Sequence, residues 1–252
     1  MILRELMDYP TALVDQNAQL AALLRDADWS TPVPTCPGWT LTQLMRHVGR
    51  GDRWAAQIIA DRVDSSLDPR LVRDGKPPAD DPGALRWLAD SPRTLLDAVR
   101  DVGADTEVST FLGPRRASWW IRRRLHEATI HRADAAFALD TGYGLSADLA
   151  ADGISEWLDR LVVEQSLGRP AVLPSGTRLV LRATDSTDVW TVAGTAAGIT
   201  VTDEPADGDV RLEGPAADLL LALVRRRAVA DTSIQLEGTP GLWHDWLDRT
   251  PL

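Results

Sequence analysis

Cysteine, lysine and long apolar runs are scarce or missing in this chain of 252 residues, and each shortage excludes a class of protein. A single cysteine, Cys36, cannot form an intramolecular disulfide, which fits a reducing, cytoplasmic compartment. No run of about 18 apolar residues occurs, so we expect no transmembrane helix. The opening MILRELMDYPTALVDQ lacks a basic segment followed by an apolar run, so we expect no secretory signal.

Positive charge is also in deficit, since 27 Lys and Arg face 37 Asp and Glu, for a net charge of −10. An acidic protein repels nucleic acid backbones and anionic membranes, so we expect neither as a partner, despite arginine triplets at 122–124 and 225–227. Lys76 is the only lysine. Nearly all the positive charge is therefore arginine, which binds carboxylates in a bidentate manner. We expect small molecules as partners, and we expect the protein to be a monomer or a homodimer.

The first part of the chain carries helical patterns with start and stop signals. They predict helices over residues 10–25, 40–62, 83–102, 117–139 and 146–165. Thr40 and Ser146 are the predicted N-caps of the second and fifth helices, and the TGYG stretch at 141–144 is expected to stop the fourth. Pro92 predicts a kink or a break within the third helix.

After about Leu167 the pattern changes to alternating apolar and polar residues, which is typical of strands. The alternation predicts strands in TRLVLRATD, DVWTVAG, GITVTD, DVRLEG and SIQLEG, with helices in PAADLLLALVRRR and TPGLWHDWL. The fold class is therefore predicted to be α+β, with a helical domain over residues 1–166 and a small α+β domain over 167–252.

Four histidines are available for chemistry: His47, His126, His131 and His244. Glu127 and His131 are four residues apart, so on a helix they share a face. His126 and His131 are five apart, about 140° around the axis, and cannot easily serve one ion. The stretch HEATIH is therefore not the HExxH signature of zinc proteases. We assign no role to His244, which fits an amphipathic terminal helix.

Glu127 and His131, joined by His47 from a facing helix, would form a three-ligand metal site. Two histidines and a glutamate suit zinc with a position left open for water or substrate. Nickel or manganese, which accept mixed nitrogen and oxygen ligands, are alternatives. Helix bundles commonly hold such sites between facing helices. By spacing alone, the Glu127 and His131 pair also fits a solvated face of an arginine-rich helix.

The surroundings of the pair favour a site, because Trp120, Arg124, Glu127, His131 and Asp134 fall along one stripe of the predicted helix. A purely structural face would be apolar, and a purely solvated one would not include Trp120. Asp134 can orient His131 by accepting a hydrogen bond. Arg124 can hold either the carboxylate of a substrate or Glu127 itself.

Cys36 lies in a Pro-rich turn before the second predicted helix, in the stretch TCPGW. A thiol near a helix N-terminus can be a nucleophile of lowered pKa. Since no histidine lies close in sequence to activate it, we favour packing in the turn as the interpretation of Cys36. Trp39 is expected to anchor the same turn to the helices.

Three blocks of the chain resemble the mycothiol-dependent maleylpyruvate isomerase-like family. They are VPTCPGWTLTQLMRHVGR, WWIRRRLHEATIHRADAA and VRLEGPAADLLLALVRRR, which occur here in the family's order and span nearly the whole chain. The resemblance implies a DinB-like four-helix bundle followed by a sterol-carrier-protein-like α+β domain that helps form the site. It also implies a divalent metal, usually zinc, on the positions occupied here by His47, Glu127 and His131.

The resemblance further implies a catalytic arginine after the leucine-rich block, at a position that Arg226 matches best. Where the family often has Trp-Gly before that arginine, this chain has Val224 and Arg225. With mycothiol as cosubstrate, a metal-bound thiolate would add to an electrophilic small molecule, in an S-transferase or a maleylpyruvate-type cis-trans isomerase. Arg124 or Arg226 would hold an acidic substrate. The alternatives are a zinc-water hydrolase or lyase, and a non-catalytic ligand-binding or regulatory protein.

Overall fold

A computed structural model describes residues 7–250 of the chain. Residues 1–6, on which part of the expectation about a secretory signal depends, lie outside the described range. Within that range the chain forms α-helices and one five-stranded sheet, which confirms the predicted α+β class. In the described part of the chain, no helix is long and apolar enough to cross a membrane.

The first compact unit ends at Tyr143 and contains a bundle of four helices. These are α1 (Tyr9–Leu23), α2 (Leu41–Asp61), α3 (Asp81–Val102) and α4 (Trp119–Ala138). Helix α1 packs on α3 and α4, and α2 packs on α3 and α4. Their buried faces share a core of leucines and isoleucines that includes Leu13, Leu20, Leu44, Ile58 and Leu88. All four predicted helices are therefore confirmed.

Local signals account for the boundaries of α2. Thr40 is its N-cap, as predicted, and the backbone N–H of Thr40 donates to Oε1 of Gln43 at 2.9 Å in a capping box. At the other end, Arg62 adopts a left-handed backbone with φ of 53°, which ends the helix. These local signals fix where α2 begins and ends.

Of the kink or break predicted at Pro92, the structure excludes the break, because α3 is continuous across this residue. A proline removes one backbone N–H from the ladder. Both Ser91 and Pro92 are buried where α2 packs on α3. The Ser91 hydroxyl donates to the Trp87 carbonyl at 2.6 Å and accepts from Arg53 Nε at 3.1 Å. Tertiary packing and these bonds offset the missing bond.

A short hairpin that the sequence did not predict joins α3 to α4. Its strands are β1 (Glu107–Val108) and β2 (Arg115–Arg116), paired antiparallel. The turn between them is closed by the Thr110 hydroxyl, which donates to the Gly113 carbonyl at 2.6 Å. Gly113 has φ of 83°, a conformation that glycine adopts without strain.

The second compact unit begins at Gly144 and contains α5 (Ala147–Ser166) and the five-stranded sheet. The strands are β3 (Arg178–Ala183), β4 (Val189–Thr195), β5 (Gly198–Thr202), β6 (Val210–Gly214) and β7 (Gln235–Gly238). They lie in the order β5-β4-β3-β6-β7, and only the β3–β6 pair is parallel. Helices α6 (Ala216–Leu223) and α7 (Pro240–Arg249) complete the unit and overlap the two segments where the sequence analysis expected helices.

The division between the units falls earlier than the boundary at residue 166 that the sequence suggested. Helix α5, capped by Ser146 as expected, packs on α6 and β5 and so groups with the sheet. Its helical pattern is like that of the bundle helices. Periodicity alone does not predict the elements on which an amphipathic helix packs. The first described unit therefore ends at Tyr143, and the second begins at Gly144.

Helix α6 is shorter than predicted, since it ends at Leu223 before the arginine triplet. Arg225 takes a left-handed backbone with φ of 55°, and the N–H of Arg226 donates to the Leu221 carbonyl at 2.8 Å. This turn places the triplet after the helix rather than on one of its faces.

Candidate metal centre

Three side chains predicted as metal ligands meet between α2 and α4. The ligand atoms of His47, Glu127 and His131 all lie within 4.8 Å of one another. Oε2 of Glu127 is 3.3 Å from Nε2 of His47 and 3.6 Å from Nε2 of His131. His131 is buried, whereas His47 and Glu127 remain partly exposed. The cluster thus has a closed side and an open side.

Helix geometry explains why these residues meet. Glu127 and His131 are one turn apart on α4 and face α2, where His47 lies. His126, although buried, belongs to neither of the two groups of potential metal ligands found among residues 7–250, in line with its predicted direction. His244 is exposed on α7 in the second unit.

Asp134 holds His131 from the buried side. Oδ2 of Asp134 is 2.8 Å from Nδ1 of His131, which leaves Nε2 facing the other two ligands. The fully buried Asp134 also accepts from Thr35 Oγ1 at 2.6 Å and from Cys36 Sγ at 3.3 Å. The turn before α2 is therefore tied to α4 through one carboxylate. Cys36, interpreted from sequence as turn packing, contacts the support of a candidate ligand.

Two arginines hold Glu127. Nη2 of Arg123 lies 2.5 Å from Oε1 of Glu127, and Nη1 of Arg124 lies 3.6 Å from Oε2. Arg124 is itself fixed, since its Nε donates to Asp52 Oδ1 at 2.9 Å and its Nη2 to the Val48 carbonyl at 3.1 Å. Both Arg124 and Asp52 are buried. The glutamate is thus oriented by cations whose positions the bundle determines.

A glycine on α2 makes room for this arrangement. A Cβ atom built on Gly51 would lie between 2.4 and 2.6 Å from the guanidinium of Arg124. Any larger residue at this position would displace the arginine from Asp52 and from Glu127. The requirement is one of space, because Gly51 lies within an ordinary helix.

Charge within the cluster follows from these contacts. Burial alone would raise the pKa of Glu127, but the positive charge of Arg123 and hydrogen bonds with the two histidines hold that pKa well below its usual value. Burial likewise opposes protonation of His131, yet hydrogen bonds led by the one to Asp134 raise its pKa to about 10. Burial lowers the pKa of His47. The pKa values of the two imidazoles therefore shift in opposite directions, and a metal ion bound by His131 would have to displace a proton from that ring.

The open side of the cluster leads into a cavity of about 550 Å³, a volume that suits a small-molecule ligand. Its walls combine the candidate ligands with arginines and aromatic rings. The lining residues are Trp39, Gln43, Arg46, His47, Arg50, Gly51, Trp54, Pro69, Phe111, Trp120, Arg123, Arg124 and Glu127. The cavity therefore offers positive charge and aromatic surface next to the cluster.

Trp39 lines this cavity beside the two candidate histidines. Its ring centroid lies 5.0 Å from that of His47 and 6.0 Å from that of His131. The tryptophan expected to anchor the turn thus packs on both candidate histidines. Such packing restricts the imidazole rings and keeps water from one side of them.

Several functional candidates escaped the sequence analysis. Arg46, Arg50 and Arg123 line the cavity, but of the arginines on α2 and α4 the sequence analysis named only Arg124 as a candidate. The spacing of Arg46, His47, Arg50 and Trp54 along α2 was the signal that could have identified this face. Phe111 gave no such signal, because it belongs to the hairpin that the sequence did not predict.

The structure places Arg226 in the second unit, after α6. Its Nη1 donates to the Val224 carbonyl at 2.9 Å. Arg225 donates through Nη2 to the Thr250 carbonyl at 2.5 Å, and Nη1 of Arg227 lies 3.7 Å from Oδ1 of Asp218. Of the triplet, only Arg226 is half-buried, while the other two are exposed.

Comparisons with known proteins agree with both units. A family model described as the mycothiol maleylpyruvate isomerase N-terminal domain matches residues 11–136, and the MDMPI C-terminal domain matches residues 148–244. No curated protein sequence gives a significant match.

Solved structures extend the likeness to the fold. The crystal structure of the mycothiol-dependent maleylpyruvate isomerase matches with a TM-score of 0.58 at 18% identity, covering 90% of this chain and 92% of that chain. A histidine-to-alanine mutant of the mycothiol-dependent maleylpyruvate isomerase gives a TM-score of 0.58 at 16% identity, with the same coverage. At these identities the likeness concerns the fold alone.

Proposed function

The chain belongs to the mycothiol maleylpyruvate isomerase family, a family of enzymes, and from this premise we propose its reaction. We propose that it binds a divalent metal on His47, Glu127 and His131 and takes mycothiol as its cosubstrate. The thiol is activated there and adds to an electrophilic small molecule. A reducing, cytoplasmic setting fits both a free thiol cosubstrate and the single cysteine.

The convergence of the three ligand atoms carries this proposal. Tetrahedral zinc, with bonds of about 2.1 Å, separates its ligand atoms by about 3.4 Å. The distances of 3.3 Å from Glu127 Oε2 to His47 Nε2 and of 3.6 Å to His131 Nε2 fit that spacing. The donor set suits zinc, and nickel or manganese would accept the same mixed ligands.

The chain's own residues would prepare the site for this chemistry. When bound, a zinc-like ion acts as a Lewis acid and lowers the pKa of a coordinated thiol. Asp134 holds His131 with Nε2 directed at the site, and Arg123 holds Glu127 from the other side. Trp39 packs on the two imidazoles, and the cavity beside them gives the thiol a path to the site.

Arginines in the cavity support an electrophile that carries a carboxylate. Arg46 and Arg50 lie one turn apart on α2 and, with Arg123, line the cavity next to the candidate ligands. In a chain of net charge −10, such a cluster of cations favours an anionic ligand. The contacts of Arg124 with Asp52 and Glu127 support a role in holding the glutamate. Arg226 remains a proposed catalytic residue on the strength of the family pattern.

Isomerase and S-transferase chemistry share the activated thiol. In isomerisation the thiol adds to a cis double bond, rotation follows about the resulting single bond, and elimination gives the trans product and returns the thiol. In transfer the adduct is released, with the thiol consumed. The family's name favours isomerisation of maleylpyruvate or of a related unsaturated acid as the first reaction to assay.

Turnover by the zinc-loaded protein tests the proposal. With mycothiol present, we expect conversion of maleylpyruvate or formation of a thioether from an electrophile, and loss of either activity in Glu127→Ala. His244→Ala, on an exposed face of α7, is the matched control and should retain activity. Turnover that persists in Glu127→Ala, or that needs no thiol, would contradict the proposal. The second result would favour zinc-water hydrolysis or a lyase, whereas ligand binding without turnover would favour a binding protein.

A further inference from the structure

The cavity runs along the seam between α2 and α4, and its two ends differ in chemistry. His47 contacts Glu127 at one end, and the rings of Trp54 and Trp120 meet at the other, 5.2 Å apart and nearly perpendicular. Trp54 lies two helical turns beyond His47, roughly 10 Å along the axis of α2. Arg50 on α2 and Arg123 and Arg124 on α4 lie between these ends, and we call these three arginines the cationic stretch. A ligand that reaches from one end to the other therefore passes the cationic stretch.

We define the aromatic platform as Trp54 and Phe111, whose rings both pack on the buried ring of Trp120. Phe111 lies at the tip of the β1–β2 hairpin, and 44% of its surface is exposed although it is a large apolar residue. Its ring packs edge-to-face on Trp120, with centroids 5.8 Å apart. Its neighbour Leu112 and the strand residue Val108 are buried and anchor the hairpin. The fold thus displays an aromatic ring at the cavity wall on a fixed support.

The polar tips of the two tryptophans are already used. Nε1 of Trp54 donates to the Leu67 carbonyl at 2.8 Å, and Nε1 of Trp120 donates to the Ser109 carbonyl at 3.1 Å. The aromatic platform therefore meets a ligand with ring surface rather than with hydrogen-bond donors. Aromatic ring faces carry partial negative charge and attract C–H groups.

We propose that the aromatic platform binds the sugar rings of the thiol cosubstrate. Sugar rings present C–H groups on their faces and hydroxyls around their edges. The faces can stack on the aromatic platform, while the hydroxyls reach the arginines nearby. This inference rests on the proposed function, in which the cysteinyl sulfur lies at the cluster end. The sugar rings are several bonds from the sulfur and would therefore lie at the aromatic end of the cavity. An acidic electrophile would then bind at the arginines between the two ends.

Binding of the thiol-free disaccharide of mycothiol tests the inference without metal or turnover. Titration into the full-length wild-type chain should give saturable binding. Phe111→Ala should weaken it roughly three- to tenfold, the range that aromatic contacts support. Phe111→Tyr should restore it. Leu71→Ala, which removes a 73% exposed side chain that does not line the cavity, should leave it unchanged. No binding to wild type, or equal binding to wild type and Phe111→Ala, would overturn the inference.

Kinetics with two thiols separate failure of this inference from failure of the proposed function. In the zinc-loaded enzyme, Phe111→Ala should raise the KM for mycothiol by a similar factor and leave kcat/KM for N-acetylcysteine, which lacks the sugars, unchanged. Equal losses with both thiols would overturn the inference while the thiol-dependent function stands. Disaccharide binding in a protein that turns over neither thiol would contradict the proposed function and leave the sugar site in place.

Discussion

Asp134 lies 2.8 Å from His131 through its Oδ2 and Nδ1 atoms, and this contact decides which nitrogen of the imidazole faces Glu127. A carboxylate behind a metal-binding histidine fixes the tautomer and raises the basicity of the ligand. Thr35 and Cys36, almost a hundred residues earlier in the chain, hold the same carboxylate from the turn before α2. The orientation of one candidate ligand thus depends on two separate parts of the bundle.

Cys36→Ala should weaken zinc binding, because Asp134 loses one of the donors that orient it. We expect a loss of about tenfold, at the lower end for residues that support metal ligands. Cys36→Ser, which keeps a donor of similar size, should stay within a factor of about three. Competition with a chromophoric chelator measures these affinities.

The neighbouring Pro37→Ala serves as the control, since Pro37 is exposed and lies in the same turn. An equal loss in Cys36→Ala and Pro37→Ala would mean that the turn as a whole matters rather than the thiol. Unchanged zinc affinity in Cys36→Ala would refute the role given to Cys36.

Gly51→Ala should damage the site, whereas Gly49→Ala should damage only the bundle. A Cβ on Gly51 would lie 2.4 Å from the Arg124 guanidinium, while one on Gly49 would lie 2.3 Å from the Trp87 ring. Overpacking of this kind costs about 1–3 kcal/mol, so both variants should unfold at lower urea concentrations. Only Gly51→Ala should also lose zinc affinity, as Arg124 moves away from Glu127. Equal zinc affinities in the two folded variants would contradict the positioning of Glu127 by Arg124.

Asp52 should give the stability of the metal-free protein a distinctive pH dependence. Burial, only partly offset by Arg124, raises the pKa of Asp52 from the usual 3.8 to about 6. Between these values the folded chain keeps a proton that the unfolded chain releases. The contribution to the free energy of unfolding therefore decreases as pH rises through about 6, by at most about 3 kcal/mol.

Asp52→Asn removes this titration, although it also removes the negative charge beside Arg124 Nε at every pH. We expect wild type to lose stability relative to Asp52→Asn between pH 4 and pH 7, as measured by urea unfolding in the presence of a chelator. Parallel stability profiles for the two proteins would show that Asp52 ionises normally.

The sequence was sufficient to predict the features that depend on periodicity. The helices, the five strands of the larger sheet and the α+β class follow from spacing and turn residues, and the i, i+4 relation placed Glu127 and His131 on one helix face. His47 lies close to Glu127 and His131 because α2 faces α4. A four-helix bundle made that arrangement a reasonable expectation. The family resemblance then indicated the same three residues.

What the sequence could not predict depends on tertiary contacts. Cys36 lies far from Asp134 in the chain, so its contact with the site became visible only once α4 packed beside the turn. Helix α5 carries an ordinary amphipathic pattern, and its choice of the sheet over the bundle is a matter of packing. Pro92 is tolerated because neighbouring side chains compensate for the lost hydrogen bond, which no local rule anticipates.

The metal content of the purified protein tests most directly whether His47, Glu127 and His131 bind a divalent metal. Wild-type protein purified without chelators should contain about one zinc ion per chain, as one site with these three ligands would bind. His131→Ala should lose that zinc while remaining folded by circular dichroism, and His244→Ala should retain it. A wild-type protein that binds no metal even after zinc is added back would contradict the account. Full zinc content in His131→Ala would contradict it as well.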